Sequence, residues 1–408
     1  MKKKLISLLM GAAMTAITLC GCAPTGASLD GSGPSSGLQS QSESTSYQTL
    51  SSATDGTTVN LLSGEVYEFV TNYQIDVAKP HCTRYADGTT KTNPTPAHIA
   101  WTDTKEANNY TIKLSRNADM SEAEIYSSLT TSLDVEDLFT GTKYYYQIYA
   151  HRDGYTSKSK VFSFTTAHSP RTIKADTTSL DSNLRDIGGY YTEDGKHRVK
   201  QGIAYRGAEV KHYTQDAKDK LIYTLGIKTE LAVHNKDDYR LSDDIPLILA
   251  EGPHYVEWSG IAFYGNGKKE ELKKELLVFA DADNFPVFFH CQLGRDRTGT
   301  LAFLLGALLG VSKQDLFLDY ELAYLTQYGG YQWWGENCPE TKVFQLEAMY
   351  QYLNDGHCIN YSNQNLTNAW FDSSATTLAD RTAAYLKGCL GITDAEIAAI
   401  RANMLEEV

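Results

Sequence analysis

The sequence predicts an α/β domain, a central sheet flanked by helices, preceded by an all-β sandwich. Three observations carry the prediction. From about residue 65 to 167, short apolar runs alternate with period two between turn residues. From about residue 173, helical and strand periodicities alternate. Within that second part, a short strand from Pro286 to His290 runs directly into a glycine-containing turn and then a nearly all-apolar helix. The chain has 408 residues, 42% of them hydrophobic, enough for two domains with a sizeable core. Its formal charge of -13 argues against a nucleic-acid partner, because neutralising a phosphate backbone requires an excess of Lys and Arg. An anionic substrate must therefore meet a local basic pocket.

Taken in chain order, Lys2, Lys3 and Lys4 precede an apolar run from Leu5 to Leu19, the layout of an export signal and too short for a stable membrane span. The run ends in Leu19-Cys20-Gly21-Cys22, which resembles a bacterial lipobox. That resemblance implies a signal over residues 1–22, cleavage before Cys22, acylation of its sulfur and attachment to the outer face of a bacterial cell membrane. Residues 23–60 are rich in Ser, Gly, Thr and Gln with few large apolar side chains, so they are expected to be a flexible tether. Cys82, Cys338, Cys358 and Cys389 could form one or two disulfides in an oxidising compartment. The cysteines lack short metal-ligand spacings such as C-x-x-C, and neither a metal nor a cofactor is expected.

Over residues 65–167, strands are expected around His98-Ile99-Ala100-Trp101, then Tyr110, Ile112 and Leu114, then Tyr144, Tyr146 and Ile148, then Phe162 and Phe164. The run Leu138-Phe139-Thr140-Gly141-Thr142-Lys143-Tyr144 resembles the corner of a fibronectin type III module, in which the tyrosine hydroxyl caps backbone near its own turn. Tyrosines at strand spacing serve packing more often than ligand binding, and this domain shows no cluster of catalytic residue types. A spacer or docking role is the expectation.

Residues 173–408 form the α/β part. Asp216 to Leu225 reads as a helix stopped by Gly226, and Ile227, Thr229, Leu231 and Val233 alternate as a strand. Lys268 to Ala280 is an amphipathic helix with Leu272, Leu276 and Leu277 on one face. Thr298 to Leu309 is apolar nearly all round and ends at Gly310, so it should lie inside the domain. Thr393-Asp394-Ala395-Glu396 is a capping box for a last helix through Leu405.

The chemistry concentrates in His290 to Gly299, HCQLGRDRTG. A strand, a tight turn at Gly294 and a helix start aim backbone N–H groups at one point, an anion site at the carboxyl end of a strand. Cys291 stands at the start of this turn, where the same dipoles and a nearby cation favour its thiolate. Arg297 can clasp two phosphate oxygens with its planar guanidinium, and Thr298 can donate its hydroxyl to the sulfur. Gln292, Leu293, Gly294 and Arg295 supply the rest of the pocket, and Arg185 and Arg206 are candidates for a basic rim.

The pattern His-Cys-x5-Arg-Thr-Gly resembles the signature of the cysteine-dependent protein tyrosine phosphatase superfamily. Asn183 to Tyr190, Ile203 to Gly207 and Leu225 to Leu231 resemble, in that order, segments of its bacterial atypical tyrosine and lipid phosphatases. The resemblance implies a phosphatase domain with Cys291 as nucleophile, acting without metal on phosphotyrosine-type substrates or on phosphoinositides and inositol polyphosphates. Rhodanese-like sulfurtransferases also use a cysteine loop, but usually a shorter one and without a segment like Asn183 to Tyr190. In the atypical group an aspartate just before the arginine donates the proton, and Asp296 has that place. An ion pair orienting Arg295 or Arg297 is its other role. Residues 253–269 contain no aspartate and offer only Glu257 as a second donor. Ala232-Val233-His234 departs from the Asp-Leu-Arg of many relatives, so the roles of those two charges do not transfer. From a different class, a catalytically inactive surface interaction protein on the same fold remains the alternative.

Overall fold

The computed structural model describes residues 50–73, 93–178, 182–233, 240–249, 269–325, 341–359 and 365–408. The expected signal, Cys22, most of the tether, Cys82, His234, Glu257 and Cys338 lie outside them.

The N-terminal part consists of two sheets. Strands β1 (Leu50–Ser52), β3 (Ala97–Asp103) and β6 (Ser132–Val135) form the first, in the order β1-β3-β6. The second runs β2-β9-β7-β4-β5, from β2 (Thr58–Val59), β9 (Phe162–Thr166), β7 (Lys143–Arg152), β4 (Asn109–Ser115) and β5 (Glu124–Ser128), with β8 (Tyr155–Lys158) hairpinned onto β7. Ile99 and Trp101 from one sheet and Ile112, Tyr146, Ile148 and Phe164 from the other share one core. Period-two alternation is the cause, since it sends every second side chain of each strand inward. At the turn before β7 the Phe139 N–H donates to the Tyr144 hydroxyl at 2.8 Å.

Two expectations for this part are corrected. The tether does not extend to residue 60, because residues 50–52 pair with β3 and residues 58–59 pair with β9, where backbone ladder bonds order a polar segment that composition marks as flexible. Nor is the stretch from 65 all strand. Gly64–Thr71 is a helix, and its Val66 and Phe69 join the core of the α/β part.

The α/β sheet has the order β10-β11-β13-β16-β14-β15, from β10 (Arg171–Thr172), β11 (Arg185–Asp186), β13 (Ala204–Gly207), β16 (Val287–His290), β14 (Thr229–Ala232) and β15 (Leu247–Leu249). It begins two residues before the expected boundary at 173. The last four strands in that order are mutually parallel, and β10 and β11 run antiparallel at one edge. β13 and β14 flank β16, so the chain crosses over β16 between them. The loop after β16 therefore opens at a point where the strand order reverses, the usual ligand position in such sheets.

The apolar helix spans Asp296–Leu309, starting two residues earlier than its sequence pattern suggests, with Gly310 closing it at φ +85°. The Asp216 to Leu225 segment is α-helical only over Gln215–Asp219 and continues as a π-helical turn to Thr224. The capping box on Thr393 and Glu396 is formed, and the residues after that helix, Leu405–Glu407, pair as a strand with β12 (His197–Val199). Cys358 and Cys389 are buried free thiols, which corrects the disulfide expectation for both. Among the described residues no helix is long and apolar enough to cross a membrane.

Candidate active site

Cys291 is 2% exposed at the end of β16. Burial opposes its ionisation, but the Arg297 guanidinium and the hydroxyl and backbone N–H of Thr298 outweigh burial, and its pKa falls below the ordinary thiol value. The Thr298 hydroxyl is buried and takes no other protein partner, which leaves it to the sulfur. Arg297 is half-buried and lies close enough to the end of β14 for its Nη1 to face the Val233 carbonyl at 3.4 Å.

The loop between Cys291 and the helix is tied back from outside. The Gln292 carbonyl accepts from the Glu209 N–H at 3.3 Å, and the Leu293 carbonyl accepts from the Asn183 carboxamide at 3.0 Å. The Gly294 carbonyl accepts from Asn183 at 3.2 Å and from Arg206 at 2.8 Å. In a planar trans peptide the C=O and the following N–H point in opposite directions, so anchoring these three carbonyls turns the N–H groups of Leu293, Gly294 and Arg295 to the other side of the loop. That is how this loop becomes an anion cradle. Gly294 is required here for two reasons: its φ is +65°, and a Cβ would lie 2.4 Å from the Gly207 backbone.

The sequence placed Arg185 and Arg206 on a basic rim, and this is corrected. They are 2% and 0% exposed, and both guanidinium groups converge on Asp319. Arg185 donates through Nε to Asp319 Oδ1 at 2.9 Å and through Nη2 to the Asp319 carbonyl at 2.6 Å, and it also holds the Asn183 side chain. Burial opposes ionisation of Asp319, but Arg206 and Arg185 hold its carboxyl below the usual range. Burial and the neighbouring Arg185 in turn pull Arg206 down to about 10. These buried arginines support the loop, Arg206 directly at the Gly294 carbonyl and Arg185 through Asn183.

Arg295 is 3% exposed and grips the Asp296 carboxylate, Nη2 to Oδ2 at 2.9 Å and Nε to Oδ1 at 3.1 Å. It thus lies within the loop wall. Asp296 remains one-third exposed at the helix start. Gln292 is exposed, Leu293 half-buried and Gly294 buried. His290 is fully buried, stacks on Phe288, and pairs through Nε2 with Glu230 at 3.0 Å, while the other Glu230 oxygen accepts from the Leu241 N–H. This ties the root of the loop to the neighbouring strand.

Sequence reasoning missed Asp319, Asn183 as an anchor, Glu230 and Glu275. Glu275 is 3% exposed, and burial raises its carboxyl to about 8, with Glu271 adding to the rise and Arg297 opposing it. The Asn183 to Tyr190 segment was the available signal for Asn183. Nothing local marks Asp319, which meets Arg185 from 134 positions away. Among the described residues no group of three or more His, Cys, Asp or Glu side chains is arranged to hold a metal ion.

A mixed sheet with four parallel strands and a glycine turn over a buried, acidified cysteine, followed by an arginine and a threonine at a helix start, defines a cysteine-dependent phosphatase. The chain belongs to the tyrosine phosphatase family, whose profile matches residues 179–258 and 254–406. Among solved structures it is similar to the catalytic core of Siw14, with 21% identity over 30% of this chain and 70% of that one and a TM-score of 0.24. It is also similar to the core catalytic domain of the PP-IP phosphatase SIW14 from S. cerevisiae in complex with citrate, with 19% identity over 34% and 76% of the two chains and a TM-score of 0.25. A search of curated proteins finds no significant match.

Proposed function

We propose that this chain hydrolyses phosphate monoesters of the phosphotyrosine type through a phosphocysteine on Cys291. The observation that carries the reading is a buried thiol, its pKa lowered by Arg297 and Thr298 against burial, beside a loop whose Gln292, Leu293 and Gly294 carbonyls are tied back by Glu209, Asn183 and Arg206. The thiolate attacks phosphorus, the bond from phosphorus to the leaving oxygen breaks, and that oxygen takes a proton. Water then attacks the phosphocysteine, releasing inorganic phosphate and restoring the thiolate. The loop amides and Arg297 bind the equatorial oxygens in both steps. Turnover of p-nitrophenyl phosphate by the purified chain in EDTA tests this reading. No turnover would favour an inactive interaction protein on the same fold.

Asp296 is the proton donor in this reading. It stands one-third exposed at the start of the helix after the loop, paired with Arg295 at 2.9 Å. Asp296→Asn should lower kcat strongly on phosphotyrosine peptides and much less on p-nitrophenyl phosphate, whose leaving oxygen hardly needs a proton. If Glu257→Gln produces that selective loss and Asp296→Asn does not, the donor is Glu257.

Commitment of Arg295 to Asp296 supports monoesters over inositol polyphosphates, because a second phosphate would need a cation free to meet it. Arg295→Ala should therefore reduce kcat/KM on a phosphotyrosine peptide and on an inositol polyphosphate by similar factors. A loss larger by about 1 to 3 kcal/mol on the polyphosphate, the scale of one charge-assisted hydrogen bond, would reassign the substrate.

Residues 1–22 are a lipoprotein signal, the tether runs from 23 to about 49, and the two-sheet part is a fibronectin type III-like domain. Its strand order and the bond from the Phe139 N–H to Tyr144 support the last assignment. The phosphatase domain follows to residue 408. Lipidation at Cys22 would anchor the enzyme outside the cell, and Cys22→Ser should then move it from the membrane fraction to the soluble fraction. An unchanged distribution removes the anchor from the proposal.

A further inference from the structure

We propose that the two-sheet domain is part of the scaffold that shapes the catalytic loop, with Arg171 as the positioning residue that acts on the loop through strand β11. The inference rests on the reading of Cys291 as the nucleophile. β11 has only two residues, and they hold different partners. Asp186 accepts from Arg171 Nη1 at 2.7 Å, from the Gly202 N–H at 2.6 Å and from the Gly188 N–H at 2.8 Å. The other nitrogens of Arg171 reach into the two-sheet domain, Nε to the Leu138 carbonyl at 3.1 Å and Nη2 to the Asp137 carbonyl at 2.6 Å. Arg185, the adjacent residue, holds Asp319 and Asn183, and Asn183 holds the Leu293 and Gly294 carbonyls. A single two-residue strand thus carries the domain junction on one residue and the loop support on the next.

The junction is specific as well as buried. Arg171 is 4% exposed and Asp186 0%. The Gln201 carboxamide oxygen accepts from the Thr140 N–H at 2.9 Å, and its nitrogen donates to the Thr140 carbonyl at 2.9 Å. The Phe139 ring lies 4.6 Å from the Arg116 guanidinium and 4.5 Å from that of Arg171. Gly202 packs so closely on Phe139 that a Cβ would come within 2.9 Å of the ring. A satisfied network of buried polar groups fixes one geometry, where an apolar patch would allow sliding. Helix Gly64–Thr71 makes a second attachment by placing Val66 and Phe69 in the α/β core. Both parts accordingly fall within one compact unit. A spacer or docking module, the expectation from sequence, would need none of these contacts.

The test uses the full mature chain and two readouts that fold stability alone would not move. These are the pH midpoint of Cys291 alkylation by iodoacetamide, with Cys291→Ser as background, and inhibition by orthovanadate. Arg171→Met should raise the alkylation midpoint toward that of an ordinary thiol and weaken vanadate inhibition by about tenfold to a hundredfold, the scale of a small misplacement of the site. Arg171→Lys should fall between Arg171→Met and wild type. A folded Arg171→Met protein with the wild-type midpoint and inhibition overturns the proposal. If Arg171→Met does not fold, Gln201→Ala decides by the same two readouts, and wild-type values overturn the proposal there too. Failure of the nucleophile reading looks different, since wild-type Cys291 itself would then show no depressed midpoint.

Discussion

Cys291→Ser should abolish phosphatase turnover while leaving phosphate-analogue binding largely intact. The substitution removes the atom that forms the bond to phosphorus, and with it the covalent route. It leaves the amides of Leu293, Gly294 and Arg295 where their tied-back carbonyls hold them, and it leaves Arg297 in place. The loss should reach at least about 10⁴-fold in kcat, while orthovanadate affinity should change by less than about tenfold. In the wild type, kcat/KM should rise with pH through the Cys291 pKa, below the ordinary thiol value, because the attacking species is the thiolate. Steady-state kinetics and calorimetry check both halves. Substantial residual hydrolysis by the serine variant would sink the mechanism.

The second large effect concerns a residue that never meets substrate. Asp319→Asn should destabilise the fold by about 3 to 5 kcal/mol, because it leaves the Arg185 and Arg206 guanidinium groups buried side by side with their shared counter-charge removed. That corresponds to a fall in Tm of roughly 10 °C. The sign with pH follows from the depressed Asp319 pKa. Its stabilising contribution is present above the unfolded-state value and is lost as pH falls through the lower folded value. The difference between wild type and Asp319→Asn should therefore be full at neutral pH and shrink in acid. The Gly294 carbonyl would also lose a fixed partner in Arg206, so kcat/KM should drop with stability. Thermal scans at pH 7 and pH 3, with kinetics at pH 7, check this. Equal Tm values for the two proteins at pH 7 would show that Asp319 carries no net stabilisation.

Much of this protein is legible in local patterns. Strands β3, β4, β7 and β9 lie where alternation predicts them, because a pleated strand with one inward face dictates its own period, and β14 and β16, buried on both faces, also lie where their apolar residues predict them. Helix ends at Gly310, and at Thr393 with Glu396, follow from groups within one turn of the chain. The loop from His290 to Gly299 is legible for the same reason: its glycine, its cysteine and the helix after it are contiguous, so one short segment contains most of the anion cradle.

What the sequence alone determined, then, is the set of features whose physics closes within a few residues: the longer strands, the helix ends at Gly310 and Thr393, and the glycine turn between β16 and the apolar helix. Only the tertiary structure decided that Arg185 and Arg206 are buried supports of the loop instead of a basic rim, since their partner Asp319 stands 113 positions beyond Arg206 in the chain. It likewise decided that residues 50–52 and 58–59 pair into sheets, that Val66 and Phe69 leave the two-sheet domain for the α/β core, and that Arg171 bonds to both parts. Periodicity reports which face of an element turns inward, but a charged side chain takes its role from what folding brings against it. Burial without a partner is too costly for a guanidinium, so Arg171, Arg185 and Arg206 are explained only by the distant groups that receive them, whereas buried Arg295 finds its partner in the adjacent Asp296.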